Sequence, residues 1–235
     1  MKKPVVDYRK LRLSNLNSPE FRHVKLLLYW PVYGLLFLFV ERFYQPGAYA
    51  VMHCALDDLI PFNELFLIPY LFWFVFLIGM LAYTFFYDTE CFSRMMMFIM
   101  ITYTAALLTY LLFPNCQHLR PGSFERDNVL TRFMAWFYRF DTDTNVCPSI
   151  HVIGSLAVMF AAWNTPAFHS KGWKRAFTLT AALICVSTVF VKQHSVLDIL
   201  AALPLCAIAY PICFKTRAGS RQEKKWTKKP DKTCC

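Results

Sequence analysis

The sequence predicts an all-α integral membrane bundle of about six helical spans, and three observations predict it. Of 235 residues, 57% are hydrophobic and only 17% charged, far from the balance of a water-soluble domain. The apolar residues fall in blocks, several of them apolar on every face instead of striped like a surface helix. The basic residues are shared very unequally between the gaps that separate those blocks.

Residues 1–25 form a basic N-terminal segment with 7 of the Lys and Arg residues. It is too long and polar for the n-region of a cleaved signal peptide, and no small-residue cleavage site follows the first apolar block, so that block is expected to remain as a span. Crossing hydrocarbon takes about 20 mostly apolar residues. The blocks that approach this lie near Leu26–Tyr44, Leu65–Tyr87, Met95–Phe113, Pro148–Trp163, Ala176–Val191 and Val196–Phe214. They make one membrane domain over residues 26–214, without an internal repeat. The fourth and fifth blocks are short, and reach span length only if the polar residues at their ends join the same helices. Residues 215–235, with 8 basic and 2 acidic residues, read as a disordered, solvated tail. The terminal pair Cys234 and Cys235 forms no C-a-a-X box and receives no role.

An even number of spans places both tails on one side, and this side then carries 19 basic residues against 6 on the other, namely Arg42, Arg120, Arg126, Arg132, Arg139 and Lys192. The positive-inside bias makes both termini cytoplasmic, with the plasma membrane as the expected location. The net charge of +10 comes mostly from the tails, without aromatic interleaving or a reading module, so the expected partner is anionic lipid and not nucleic acid. Nine cysteines without a C-x-x-C pair argue against a zinc site; most read as apolar filler. Cys116 and Cys147 share one outer loop and are expected as free thiols.

Three polar clusters interrupt the expected extracytoplasmic ends of the later blocks: Gln117-His118-Leu119-Arg120-Pro121, Cys147-Pro148-Ser149-Ile150-His151, and Lys192-Gln193-His194-Ser195-Val196-Leu197-Asp198. Ionisable groups at this depth are costly and tend to mark function. His194 and Asp198 are four residues apart, so on a helix they share a face, where the carboxylate would hold one imidazole nitrogen protonated and free the other to attack an electrophile. Alone, this spacing means no more than a hydrogen bond on a helix surface. Pro148 and Ser149 sit where a helix should start, with free N–H groups suited to phosphate oxygens, and His151 there is a candidate general acid. Arg120 adds a planar fork of donors suited to phosphate, although a single loop arginine is as readily a headgroup contact.

Over about Phe113 to Asp198, these residues resemble the type 2 phosphatidic acid phosphatase superfamily of membrane lipid phosphatases, whose pattern runs K-x6-R-P, P-S-G-H and S-R-x5-H-x3-D. The resemblance implies a six-span core, a phosphohistidine intermediate on His194, His151 as general acid, Asp198 orienting His194, and no metal or other cofactor. It maps Arg120, Ser149 and Ser187 to phosphate-site positions. Three positions depart from the pattern: Phe113 replaces the Lys, Ile150 the Gly and Thr188 the Arg. Lys192 stands one helical turn after Thr188, so on the same face, and is expected to reach the pocket with its longer arm in place of the missing Arg. The relaxed flanking residues look closer to the branch that resembles inositol phosphorylceramide and sphingomyelin synthases, which move a phospho-headgroup between lipids. The expected substrate is therefore a membrane lipid phosphate, with water or a lipid alcohol as acceptor. The rival class is a non-catalytic scaffold or an anion or lipid transporter.

Asp57, Asp58 and Glu64 read as solvated loop acids. Asp141 and Asp143 also read as loop residues, since an oxygen-ligand set for a divalent cation is not demonstrable. His53 and His169 read as structural and His118 as an exposed loop histidine.

Overall fold

A computed structural model describes residues 3–215; the expected tail and its Cys234–Cys235 pair lie outside the described residues. The main elements, in chain order, are α1 (Tyr29–Arg42), β1 (Ala50–Val51), α2 (Ala55–Leu59), α3 (Leu67–Tyr87), α4 (Thr89–Leu112), β2 (Asn115–Cys116), α5 (Val129–Phe140), α6 (Ile150–Asn164), α7 (Lys171–Phe190) and α8 (Val196–Tyr210). Short 3-10 turns lead into α1 and α3, and α8 runs on into a π-turn over Pro211–Lys215.

Among the described residues, five helical stretches are long and apolar enough to cross a membrane: Arg22–Arg42, Glu64–Tyr87, Thr89–Leu112, Lys171–Phe190 and Val196–Lys215. The described chain is thus mostly helical and fits an integral membrane protein. The fourth block departs from the expected pattern. It forms the 15-residue α6, which at 1.5 Å per residue is only about 22 Å long. Its short length has a physical reason: α6 packs against α3, α4, α7 and α8, and most of its residues are buried. A helix walled by protein can end in polar residues below the membrane surface, because its neighbours and not lipid surround those ends. The fifth block reaches span length at its basic end, through Lys171, Lys174 and Arg175, and not through the histidine end.

The core is built from the inward faces of these helices, with Trp73, Phe98, Tyr103, Tyr110, Val152, Ile153, Ala157 and Ile184 in one buried cluster. Small residues on α6 allow the closest approaches. At Gly154, an added Cβ would come within 2.8 Å of the Tyr103 hydroxyl and 2.9 Å of the Trp73 indole, so only glycine fits there without a shift.

At the end of the bundle that carries the polar clusters, the connections are tied together. β1 pairs in parallel with β2, and Cys116 makes an antiparallel bridge to Thr144. Asn115 accepts from the Val146 and Cys147 N–H groups through Oδ1 and donates through Nδ2 to the Cys147 carbonyl. One buried amide therefore holds the loop after α4 against the segment that leads into α6. Cys116 and Cys147 are free thiols; burial and the neighbouring Asp198 raise the Cys147 thiol to about 12.

Candidate functional site

α6 begins where Pro148 and Ser149 predicted a start. Ser149 is the N-cap, and its hydroxyl accepts from the Val152 N–H at 3.4 Å. The first turn of a helix has no carbonyls behind it. Among the described residues, the Ile150 and His151 N–H groups consequently have no partner. Tyr110 donates to the Pro148 carbonyl and Tyr103 to that of Ile150, while the Ser149 N–H donates to the Asp198 carbonyl at 3.2 Å. The start of α6 is thereby fixed against both α4 and α8.

His151 projects from this turn into an aromatic slot. Its ring stacks on Tyr70 at 4.5 Å and lies 4.4 Å from Trp73, both on α3. Neither ring nitrogen finds a hydrogen-bond partner among the described residues.

The chain reaches His194 by a route the sequence did not suggest. α7 stops at Phe190, and Lys192 takes a left-handed conformation at φ 53°. The Gln193 and His194 N–H groups then both return to the Thr188 carbonyl. His194 lies outside α8, one residue before the N-cap Ser195. Asp198 folds back over this helix start, where its Oδ2 accepts from the Ser195 N–H at 2.9 Å and lies 3.1 Å from His194 Nδ1. The pair meets through a capping box and not through the shared helix face that the four-residue spacing implied. The consequence for the imidazole is the same: in its neutral form, a carboxylate facing Nδ1 favours the tautomer with the proton there and Nε2 free. The His151 and His194 ring centroids are 5.7 Å apart.

Asp57 was expected to be solvated and is instead buried. Its carboxylate accepts from the Val196 N–H at 2.8 Å, the Ser195 hydroxyl at 2.5 Å and the Cys54 N–H at 2.9 Å. Burial pushes this carboxyl up, but the three donors outweigh that and hold it below its ordinary value. The α8 start is satisfied from outside, by Asp57, and from within, by Ser195 and Asp198. Of the two helix starts at the site, only that of α6 has N–H groups to offer. Glu64 is also buried, bonded to Asn128 and Arg126, whereas Asp58 remains exposed beside His53.

Lys192 does not extend the face of Thr188, because the helix has already ended. Its ammonium donates to the carbonyls of Asp57 and Ile60, and burial lowers its pKa despite the nearby Asp57 and Asp58 charges. The register that would bring it to the pocket is therefore not formed. Arg120 is likewise engaged. Its terminal nitrogens donate to the carbonyls of Tyr138, Asp141 and Thr142 and to Gln193 Oε1, with the guanidinium 4.7 Å from the Tyr138 ring centre. Its Nε and the Gln193 Nε2 are buried without partners. The buried Ser187 hydroxyl donates to the Ile184 carbonyl. Gln117 donates to the Lys192 carbonyl, Phe113 is exposed, and His118 faces Asp143 at 3.7 Å in an exposed pair.

The site therefore joins His151, His194, Asp198, Gln193 and Arg120 at one end of the bundle. Of nine buried side-chain polar atoms without a partner among the described residues, five are here: both His151 nitrogens, the donors Arg120 Nε and Gln193 Nε2, and the acceptor Asp198 Oδ1. Leaving a buried donor unpaired costs about 1–3 kcal/mol, so such a concentration marks a place where an acceptor-rich ligand would be stabilised. No group of three or more His, Cys, Asp or Glu among the described residues has the geometry to hold a metal. Sequence reasoning missed Tyr70, Trp73, Gly154 and Asp57, which shape or brace the site; of these only Asp57, three residues after Cys54 in a D-D pair, carried a polar signal at all.

No family model, curated protein or solved structure matches this chain. The function rests on the chemistry of the site.

Proposed function

We propose that this chain is a metal-independent lipid phosphatase or lipid headgroup phosphotransferase of the type 2 phosphatidic acid phosphatase kind, acting through a phosphohistidine on His194. In this reading the site opens at the extracytoplasmic face of the plasma membrane and both termini are cytoplasmic. The observation that carries it is the His194–Asp198 contact of 3.1 Å facing an unpartnered His151 across 5.7 Å between ring centres.

In the first step, His194 Nε2 attacks phosphorus, an N–P bond forms and the P–O bond to the leaving alcohol breaks. His151 gives the alkoxide a proton, and Asp198 stabilises the charge that develops on the His194 ring. In the second step, His151 takes a proton from water or from an acceptor lipid alcohol. The resulting oxygen nucleophile attacks phosphorus, the N–P bond breaks and His194 returns neutral with Nδ1–H still directed at Asp198. The α6 N–H groups, Arg120 Nε and Gln193 Nε2 are donors of the right kind for the non-bridging oxygens.

The test is product analysis of purified protein with a panel of lipid phosphates, chelator present, alongside capture of acid-labile phosphohistidine. Free phosphate identifies the hydrolase, and a headgroup moved to an added lipid alcohol identifies the transferase. His194→Ala is expected to abolish labelling. Absence of any labelled intermediate or product across the panel would overturn the enzyme reading in favour of an anion-binding scaffold or transporter.

A further inference from the structure

α5 is a helix that the proposed chemistry does not use directly. Its inner face, with Leu130, Met134, Phe137 and Tyr138, packs against Leu67, Tyr70 and Val191. Its outer face carries Val129, Phe133, Trp136 and Phe140, which are 80%, 37%, 57% and 62% exposed. At 100° per residue these four fall within an arc of roughly 60°, so they form one narrow apolar stripe. Arg132 and Arg139 flank it on one side. Along the stripe Trp136 stacks on Phe140 and lies tilted against Phe133.

The anchoring of the two ends sets the tilt. At the N-terminal end, Asn128 Nδ2 donates to Glu64, where the second span-length stretch, Glu64–Tyr87, begins. At the C-terminal end, Arg42 donates to the Phe140 carbonyl, and Arg42 ends the stretch Arg22–Arg42. α1 runs toward this end of the bundle and α3 runs away from it, so both anchors belong to the same end. A 12-residue helix of about 18 Å whose two ends are tied to span ends on one side crosses between them instead of running along a span. Phe43, Leu65 and Ile68 at those same span ends are exposed apolar residues as well.

We propose that α5 is an in-plane interfacial helix whose Val129–Phe133–Trp136–Phe140 stripe is seated at the headgroup–acyl boundary of the leaflet on the site side. Trp and other aromatics suit this boundary, and an arginine beside them reaches phosphates while its stem stays on the apolar side; that arginine is Arg139, since Arg132 is paired with Asp127. The seating is independent of the phosphoryl chemistry. It bears on the site through Arg120, whose guanidinium is held by the carbonyls of Tyr138, Asp141 and Thr142 at the end of this helix.

The experiment uses the full chain in phosphatidylcholine vesicles. The emission of Trp136 is taken as the difference between wild type and Trp136→Phe, in vesicles with ordinary acyl chains and with chains brominated near the ester end, and with aqueous acrylamide. The expected result is loss of most of this emission to brominated lipid and little loss to acrylamide. Quenching by acrylamide alone would place the stripe in water, and protection from both quenchers would place it under a second copy or another protein; either overturns the proposal. Phe140→Trp, which adds emission to the otherwise unchanged chain, gives the same reading without relying on removal of Trp136.

Discussion

Replacing Asp57 by Ala removes the acceptor of three donors at once: the Val196 N–H, the Ser195 hydroxyl and the Cys54 N–H. A hydrogen bond to a charged group is worth about 1.5–3 kcal/mol, and a buried donor left behind costs about as much as the bond. The three share one carboxylate and are not additive, so the expected loss is about 3 kcal/mol or somewhat more. For a chain of this size, that lowers the melting temperature by about 6–12 °C. The effect should also reach His194, because Ser195 and Asp198 lose the brace on the helix start that aligns them. The assay is thermal unfolding of detergent-purified protein, with lipid-phosphate turnover measured well below the transition. Asp57→Asn keeps the shape and one acceptor oxygen, and should lose less stability. The pH dependence has a definite sign. Because the folded carboxyl lies below its ordinary value of 3.8, its contribution is fully present above that value and is lost as pH falls through the lower folded value. Wild type should therefore lose stability on acidification below about pH 4 more steeply than Asp57→Asn does. An Asp57→Ala protein that melts within about 1 kcal/mol of wild type would refute the reasoning, since it would mean that the α8 start does not depend on this carboxylate.

Three further outcomes are expected. Asp198→Asn should keep the α8 cap, since Asn also caps helices, yet reduce phosphohistidine formation by about 100-fold or more through loss of the charge facing His194 Nδ1; equal labelling of variant and wild type would remove Asp198 from the mechanism. Gly154→Val should cost about 1–3 kcal/mol by driving Trp73 and Tyr103 apart, with Gly154→Ala milder, as read by thermal unfolding; unchanged melting would mean that the slot around His151 is slack. Lys192→Met should lower stability through loss of the bonds to the Asp57 and Ile60 carbonyls while leaving the KM for a lipid phosphate within about threefold of wild type; a large rise in KM at unchanged stability would return this ammonium to the phosphate pocket.

The sequence alone determined the helical, membrane-suited character of the chain, because block length and all-round apolarity are local properties that need no partner to be read. It also located the α6 start, since Pro148 and Ser149 act on the turn that contains them. Only the tertiary structure decided how the polar residues are used. Lys192 was read as continuing a helix that in fact ends at Phe190, and its side chain turns to carbonyls far away in sequence. Asp57 looked like a loop acid because the helix start it caps lies about 140 residues later, and no local pattern encodes a partner at that distance. The shortness of α6 has the same origin: whether a helix must span lipid depends on what surrounds it, and the neighbours of α6 are other parts of the chain.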